Sequence, residues 1–240
     1  MDEPRYLDAG EAALVVEFGG TVDPAINDRV IALDAALSRC APPGIRELVP
    51  TYRSLMILYD PLQTGRTDLI DAVRRAEASP AAAGRTAGRW TVPCCYDAEF
   101  GEDIGHIAAT MGLTADQVVA LHASAEYRVY MYGFAPGFAY LGGLPAALAI
   151  SRRPAPRPPI PPNTLMIGGG LAAVACTPMP TGWWLVGRTP ERMFAPSRDP
   201  VFLVGAGDSL RFEPISRDAF ELLDARAAAG EVVARQEPPA

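Results

Sequence analysis

The sequence predicts an α+β chain in two parts, a small α/β sandwich followed by a barrel or sandwich of short strands. Three observations carry this. Strand and helix signals alternate up to about residue 88. Beyond residue 127 the pattern gives way to short apolar runs broken by Gly and Pro. The chain has 240 residues, 49% of them hydrophobic, which is enough for two modest cores. The boundary is therefore drawn at residue 88, giving domains 1–88 and 89–240.

In the first part, Ala12 to Phe18 is a Val- and Leu-rich run that reads as a buried strand. Asp23-Pro24 then supplies an N-cap with proline at the first helical position. Ile26, Val30, Leu33 and Leu37 share one helical face, and Pro42-Pro43-Gly44 ends the helix. Ile45 to Thr51 and Leu55 to Tyr59 read as strands. Leu69, Val73 and Ala76 mark a second helix with Thr67 as its cap. Ser79 to Gly88 reads as a connection and Trp90 to Val92 as a strand. Strand, helix, strand, strand, helix, strand is the split βαβ order of a ferredoxin-like sandwich.

The second part opens with helices. Asp103 is placed as the cap of a helix through Met111, and Thr114 with Gln117 forms a capping box for another ending near His122. Strands are expected at 128–132, 165–167, 172–176, 183–186, 201–204 and 209–212. Ser216 caps a last helix through about Ala229, and Gln236 to Ala240 is expected to fray.

Composition excludes several classes of function. A net charge of -7 repels phosphate backbones, so nucleic acid is not an expected partner. The start, Met1-Asp2-Glu3-Pro4-Arg5, lacks the basic and apolar regions of a secretory signal. No run approaches the ~18 apolar residues of a membrane span. Cys40, Cys94, Cys95 and Cys176 form no CxxC pair and read as reduced thiols. With only His106 and His122 beside them, no metal centre is expected. GxSxG, Walker A and GxGxxG motifs are all missing.

Four segments carry candidate chemistry. From Tyr132 to Pro145, Phe134, Pro136, Phe138 and Tyr140 stand among glycines, as an aromatic plug of one barrel end or as the apolar wall of a ligand site. Arg152, Arg153 and Arg157 ride on a proline-stiffened segment. It suits bidentate binding of a carboxylate or phosphoryl group, but a solvated loop or docking strip has the same composition. Gly168-Gly169-Gly170 supplies either N–H donors for an anion or a tight turn between strands. Trp183 and Trp184 must face opposite ways on a strand, one into the core and one toward an interface that includes Arg188. Cys94 and Cys95 read as core, and His122 as a capping or packing residue.

Taken in order, these segments resemble the KipI/PxpB family, also called allophanate hydrolase subunit 1. The residues that carry the resemblance run from Val92-Pro93-Cys94-Cys95-Tyr96 through Tyr127 to Pro145. They continue with Arg152-Arg153, Arg157, Ile167-Gly168-Gly169, Gly182-Trp183, Gly187-Arg188-Thr189-Pro190 and Gly207-Asp208. The resemblance implies a ferredoxin-like domain followed by a cyclophilin-like barrel in a cytoplasmic protein without a membrane partner. It implies a homologous second subunit of the KipA/PxpC type and a third, PxpA-like protein. No cofactor is then bound by this chain alone, and ATP is used by the assembled complex to hydrolyse an amide such as 5-oxoproline. On that basis Arg152, Arg153, Arg157, Asn163, Thr164 and Gly168 to Gly170 would hold the substrate beside Phe134, Pro136, Phe138 and Tyr140. The alternative branch of the family implies an inhibitor of a sensor histidine kinase. The sequence departs from the family at Asn163-Thr164, where Gly-Ser is common. It departs again at Leu171 to Cys176, where Gln-Thr-Gly-Val-Tyr-Pro is common. These changes remove polar groups from the implied pocket.

Overall fold

The computed structural model describes residues 3–78 and 87–237, and the chain divides into two compact units, Met1–Thr86 and Ala87–Ala240. The first unit begins with β1 (Arg5–Asp8) and β2 (Ala13–Glu17), continues with α1 (Pro24–Cys40), β3 (Ile45–Pro50) and β4 (Ser54–Tyr59), and ends with α2 (Arg66–Ala78). Its antiparallel sheet has the order β1-β2-β4-β3. Strands β2 and β4 alternate buried and half-buried residues. Leu14, Val16, Leu55 and Ile57 therefore meet Val30, Leu33, Leu37, Leu69 and Val73 of the helices in one core.

Asp23 caps α1 as expected, its carboxylate accepting from the Ala25 and Ile26 amides at 2.8 and 3.2 Å. Two expectations fail here. Thr67 lies inside α2 instead of capping it, because the helix already starts at Arg66. The fourth strand of the sheet comes from ahead of β2, not from Trp90. Residues 79–86 of the expected connection lie outside the described residues.

Trp90 belongs instead to β5 (Arg89–Cys94) in the second unit. There follow α3 (Ile104–Met111), α4 (Ala115–Ser124), β6 (Tyr127–Tyr132), β7 (Ala139–Gly142), a single 3-10 turn (Ala146–Leu148), β8 (Arg157–Ile160), β9 (Thr164–Gly168), β10 (Leu171–Ala175), β11 (Met179–Thr181), β12 (Trp184–Arg188), β13 (Ser209–Pro214), α5 (Arg217–Ala228) and β14 (Arg235–Glu237). Eight strands form one sheet in the order β12-β9-β10-β7-β6-β13-β5-β14, and β11-β8 is a separate ribbon. The sheet curls back on itself. Just past β5, Cys95 exchanges two 2.9 Å backbone hydrogen bonds with Arg188 at the end of β12.

The strands bury both faces. On one, Leu141, Leu165, Ile167, Val174, Trp184 and Val186 pack with Ile107 of α3 and Val118 of α4. On the other, Phe138, Met166, Ala173, Ala175, Trp183 and Leu185 pack with Ile160 and Met179 of the ribbon. The capping box of α4 is present in full, and Ser216 caps α5.

The remaining sequence expectations are corrected by tertiary pairing. Residues 201–204 form no strand, only a one-pair bridge between Phe194 and Phe202. Of the tail expected to fray, Gln236 and Glu237 instead pair with β5 as part of β14, and residues 238–240 lie outside the described residues. Among the described residues no single helix is long and apolar enough to cross a membrane.

Candidate functional site

The two tryptophans organise the candidate residues. They point to opposite faces, as the strand demands, but both are buried, at 7 and 8% exposure, so neither is the exposed one expected. Each carries one guanidinium. Arg152 lies over Trp183 at 5.0 Å and Arg153 over Trp184 at 4.8 Å. Trp184 is also stacked by His106 at 4.3 Å, and its indole N–H donates to the Ser151 carbonyl at 2.7 Å.

The three arginines then part company. Arg157 is bound to Asp103 at 2.6 and 2.7 Å and to Glu102 at 3.2 Å, and Arg153 stands 3.7 Å from Asp103. These two are neutralised within the chain. Arg152 is exposed and has no carboxylate among the described residues, so it is the one of the three left to meet an anion. Its side chain runs along the β9–β10 hairpin, close against Gly168 and Gly169. Arm and glycine bend therefore meet, as the anion-site reading of the sequence requires.

The glycines act chiefly as a turn. Gly169 and Gly170 have φ of +62° and +78°, which a two-residue hairpin needs and glycine adopts without strain. The Gly169 N–H already donates to the Ile150 carbonyl at 2.8 Å, so it is no free donor for an anion. Asn163 and Thr164 stand at the start of β9. Both are buried, the Asn163 backbone bonds to Ala175 and Thr189, and the Thr164 hydroxyl donates to the Pro161 carbonyl at 2.8 Å. Arg188 packs over Phe100 and Phe220 at 5.6 and 5.8 Å, and burial lowers its pKa.

The aromatics form a row that ends at Arg152. Ring centroids run from Phe134 to Phe138 at 5.6 Å, to Tyr140 at 4.9 Å and to Trp183 at 6.4 Å. Phe134 is 72% exposed with φ +67°. With Pro136, Tyr132, Phe202 and Val204 it lines an open apolar groove of about 620 Å³. Leu171 joins the same cluster as Tyr140 and Trp183. Of the positions where the family pattern loses a polar group, Leu171 and Ala175 thus lie on the face that carries the row, whereas Ala172 packs on the opposite face.

Three of the four cysteines and one histidine are buried. All four thiols are free, and burial pushes those of Cys94, Cys95 and Cys176 up, that of Cys176 to about 12. Among the described residues no cluster can hold a metal ion. His122 is buried, accepts or donates at Nδ1 with the Tyr96 hydroxyl at 2.8 Å, and stacks on Phe212 at 5.2 Å. Burial lowers its pKa to about 3.

Because the folded value lies below the unfolded one near 6.5, the unfolded chain binds the extra proton between those limits. The stability held by neutral His122 is present in full above pH 6.5 and is lost as pH falls toward 3. Urea melts from pH 7 to 4 should therefore show His122→Gln losing less stability than the native protein, by up to about 1.4 kcal/mol per pH unit. Parallel curves would exclude this role.

Local signals could not reveal Asp103 and His106. Asp103 read as a helix cap, yet it makes no capping bond, because Arg157 and the Leu185 amide occupy its oxygens.

The fold is a mixed α+β one. It matches part of the Kluyveromyces lactis urea carboxylase structure at TM-score 0.76, with 17% identity over 98% of this chain and 24% of that one. The chain belongs to the family described as the carboxyltransferase domain, subdomain C and D, which it matches over residues 4–204, and within it to the relatives of the 5-oxoprolinase B subunit. It is 34% identical over 218 residues to the 5-oxoprolinase B subunit of Bacillus subtilis (strain 168), covering 86% of this chain and 91% of that protein. It is 35% identical, at TM-score 0.76, to the solved structure of TTHA0988, covering 85% of this chain but only 40% of that longer one.

Proposed function

We propose that this chain is one subunit of an ATP-dependent amide hydrolase acting on 5-oxoproline or a similar carboxylate-bearing amide. The first unit would be a ferredoxin-like sandwich and the second a cyclophilin-like barrel. A homologous second subunit completes the site, a third protein assists, and ATP is consumed by the assembly. Supporting the substrate class is the 34% identity to the 5-oxoprolinase B subunit. Supporting the site is one observation above all. Arg152 is the arginine of its arm without an acid partner, and it lies at the end of an aromatic row. Its fork suits a carboxylate and the row suits the flat ring beside it. Phosphorylation of the amide oxygen makes the carbonyl carbon a better electrophile for water; the C–N bond of the adduct then breaks to leave an acyl phosphate, which a second water hydrolyses to the carboxylate and phosphate.

The test is ATP hydrolysis stimulated by 5-oxo-L-proline in the assembly of this chain with its second subunit and the third protein. Arg152→Ala should raise KM about 10- to 100-fold, the worth of one charged hydrogen-bonded contact. Arg152→Lys should recover only part of the loss, because it keeps the charge without the fork. No stimulation by 5-oxoproline would remove the substrate class, and an unchanged KM in Arg152→Ala would remove the site.

A further inference from the structure

Asp103 sits 8% exposed at the start of α3 and takes no part in capping that helix. Its oxygens accept from Arg157 Nη2 at 2.6 and 2.7 Å and from the Leu185 amide at 2.7 Å, with Arg153 Nη1 at 3.7 Å. One buried carboxylate thus joins α3, β12 and the arginine arm. The arm has other holds as well. Trp184 Nε1 donates to the Ser151 carbonyl and the Arg153 amide to the Gly182 carbonyl, at 2.7 and 2.8 Å, Arg157 stands opposite Thr181 in the β8–β11 ribbon and also meets Glu102 at 3.2 Å, while residues 154–156 are exposed. Asp103 is the acid that stands within 4 Å of both Arg153 and Arg157.

Neighbouring side chains on an extended segment point to opposite sides. An arm pinned through Arg153 and Arg157 on the Trp184 side therefore turns Arg152 to the Trp183 side. We infer that Asp103 is the positioning residue for Arg152. It touches no ligand and acts by fixing the facing of the arm. The functional consequence rests on the reading of Arg152 as the anion-binding group, but the structural consequence stands without it.

The experiment has two arms. In the full-length chain, NMR reads the Arg152 side-chain Nε–Hε signal, assigned as the one missing from Arg152→Lys. Stacking over an indole shifts the nearby arginine protons upfield. In Asp103→Asn this shift should fall by about half or more, because the neutral amide holds the arginines weakly. Arg157→Gln keeps Asp103 on the Leu185 amide and should give a smaller fall, so the idea remains testable if the first variant folds poorly. Thermal melts check both.

In the assembled complex, Asp103→Asn should raise KM for 5-oxo-L-proline about tenfold with kcat changed less than about twofold. It should add nothing once Arg152 is already alanine, since residues acting through one another are not additive. An unshifted Arg152 signal in both variants would overturn the inference. So would a further loss in the double variant equal to the loss in the single one, because a purely structural acid behaves that way. Failure of Arg152→Ala to alter KM would instead overturn the anion site, leaving the NMR result to decide the positioning.

Discussion

Glu191→Gln is expected to melt about 10 °C below the native protein. Glu191 is wholly buried and its carboxylate is saturated. One oxygen accepts from Arg198 Nη1 and the Arg192 amide, both at 2.8 Å, and the other from the Val233 and Ala234 amides, both at 2.7 Å. The residue thereby ties the segment after α5 to the loop after β12. A glutamine turns its amide donors toward donors already there and leaves Arg198, whose side chain is 7% exposed, without a counter-charge. Breaking a buried pair from one side costs about 3–5 kcal/mol. For a chain of this size each kcal/mol lowers the melting temperature by about 2–4 °C. The double change Glu191→Gln with Arg198→Met removes both charges, keeps an oxygen for the Val233 and Ala234 amides, and should be more stable than the single variant. Calorimetry that found the single variant within about 2 °C of native would show the pair to be dispensable.

Gly137→Ala should be nearly as damaging, for a steric reason. Gly137 has φ +74°, and a methyl group there would collide with Phe194 Cβ and lie 3.2 Å from Cys176 Sγ. The left-handed backbone costs a non-glycine residue about 1–2 kcal/mol, and overpacking adds about 1–3. Gly170→Ala is the control, since it meets nothing within 4 Å at φ +78° and should carry only the backbone cost. Urea midpoints that fall equally for the two would rule out the clash. Because Gly137 precedes Phe138, the variant should also disturb the Phe134–Phe138 contact of the aromatic row.

What could be read from the sequence was local. Asp23, Thr114 and Ser216 were legible as caps because a cap is decided within three residues. Strand faces were legible where alternation is strong, as in β2 and β4. Strands β8 and β11 contain prolines, so no apolar alternation announces them, and their pairing makes them strands. The front strand β1 is four residues long and mostly exposed, which left Trp90 to be mistaken for the missing edge.

The site divides in the same way. The arginine arm, the aromatic segment and the glycine bend were visible as segments. Which arginine stays free depended on Asp103, which lies about fifty residues earlier in the chain and which local rules assigned to a helix end. Tertiary charge pairing decided that, and no short-range pattern encodes it.

The large sheet is a hoop closed at a seam rather than by a full ladder. Two hydrogen bonds join Cys95 to Arg188, and a few residues on, the Asp103 amide and carboxylate hold the Leu185 backbone on both sides. Springing the seam would lay open Cys94, Cys95 and Val186, which are wholly buried, so it is a tight fastening in spite of its few bonds. Trp183, the rest on which Arg152 lies, leads directly into β12, the strand that the seam fastens. The closure of the hoop and the footing of the arginine thus depend on the same strand.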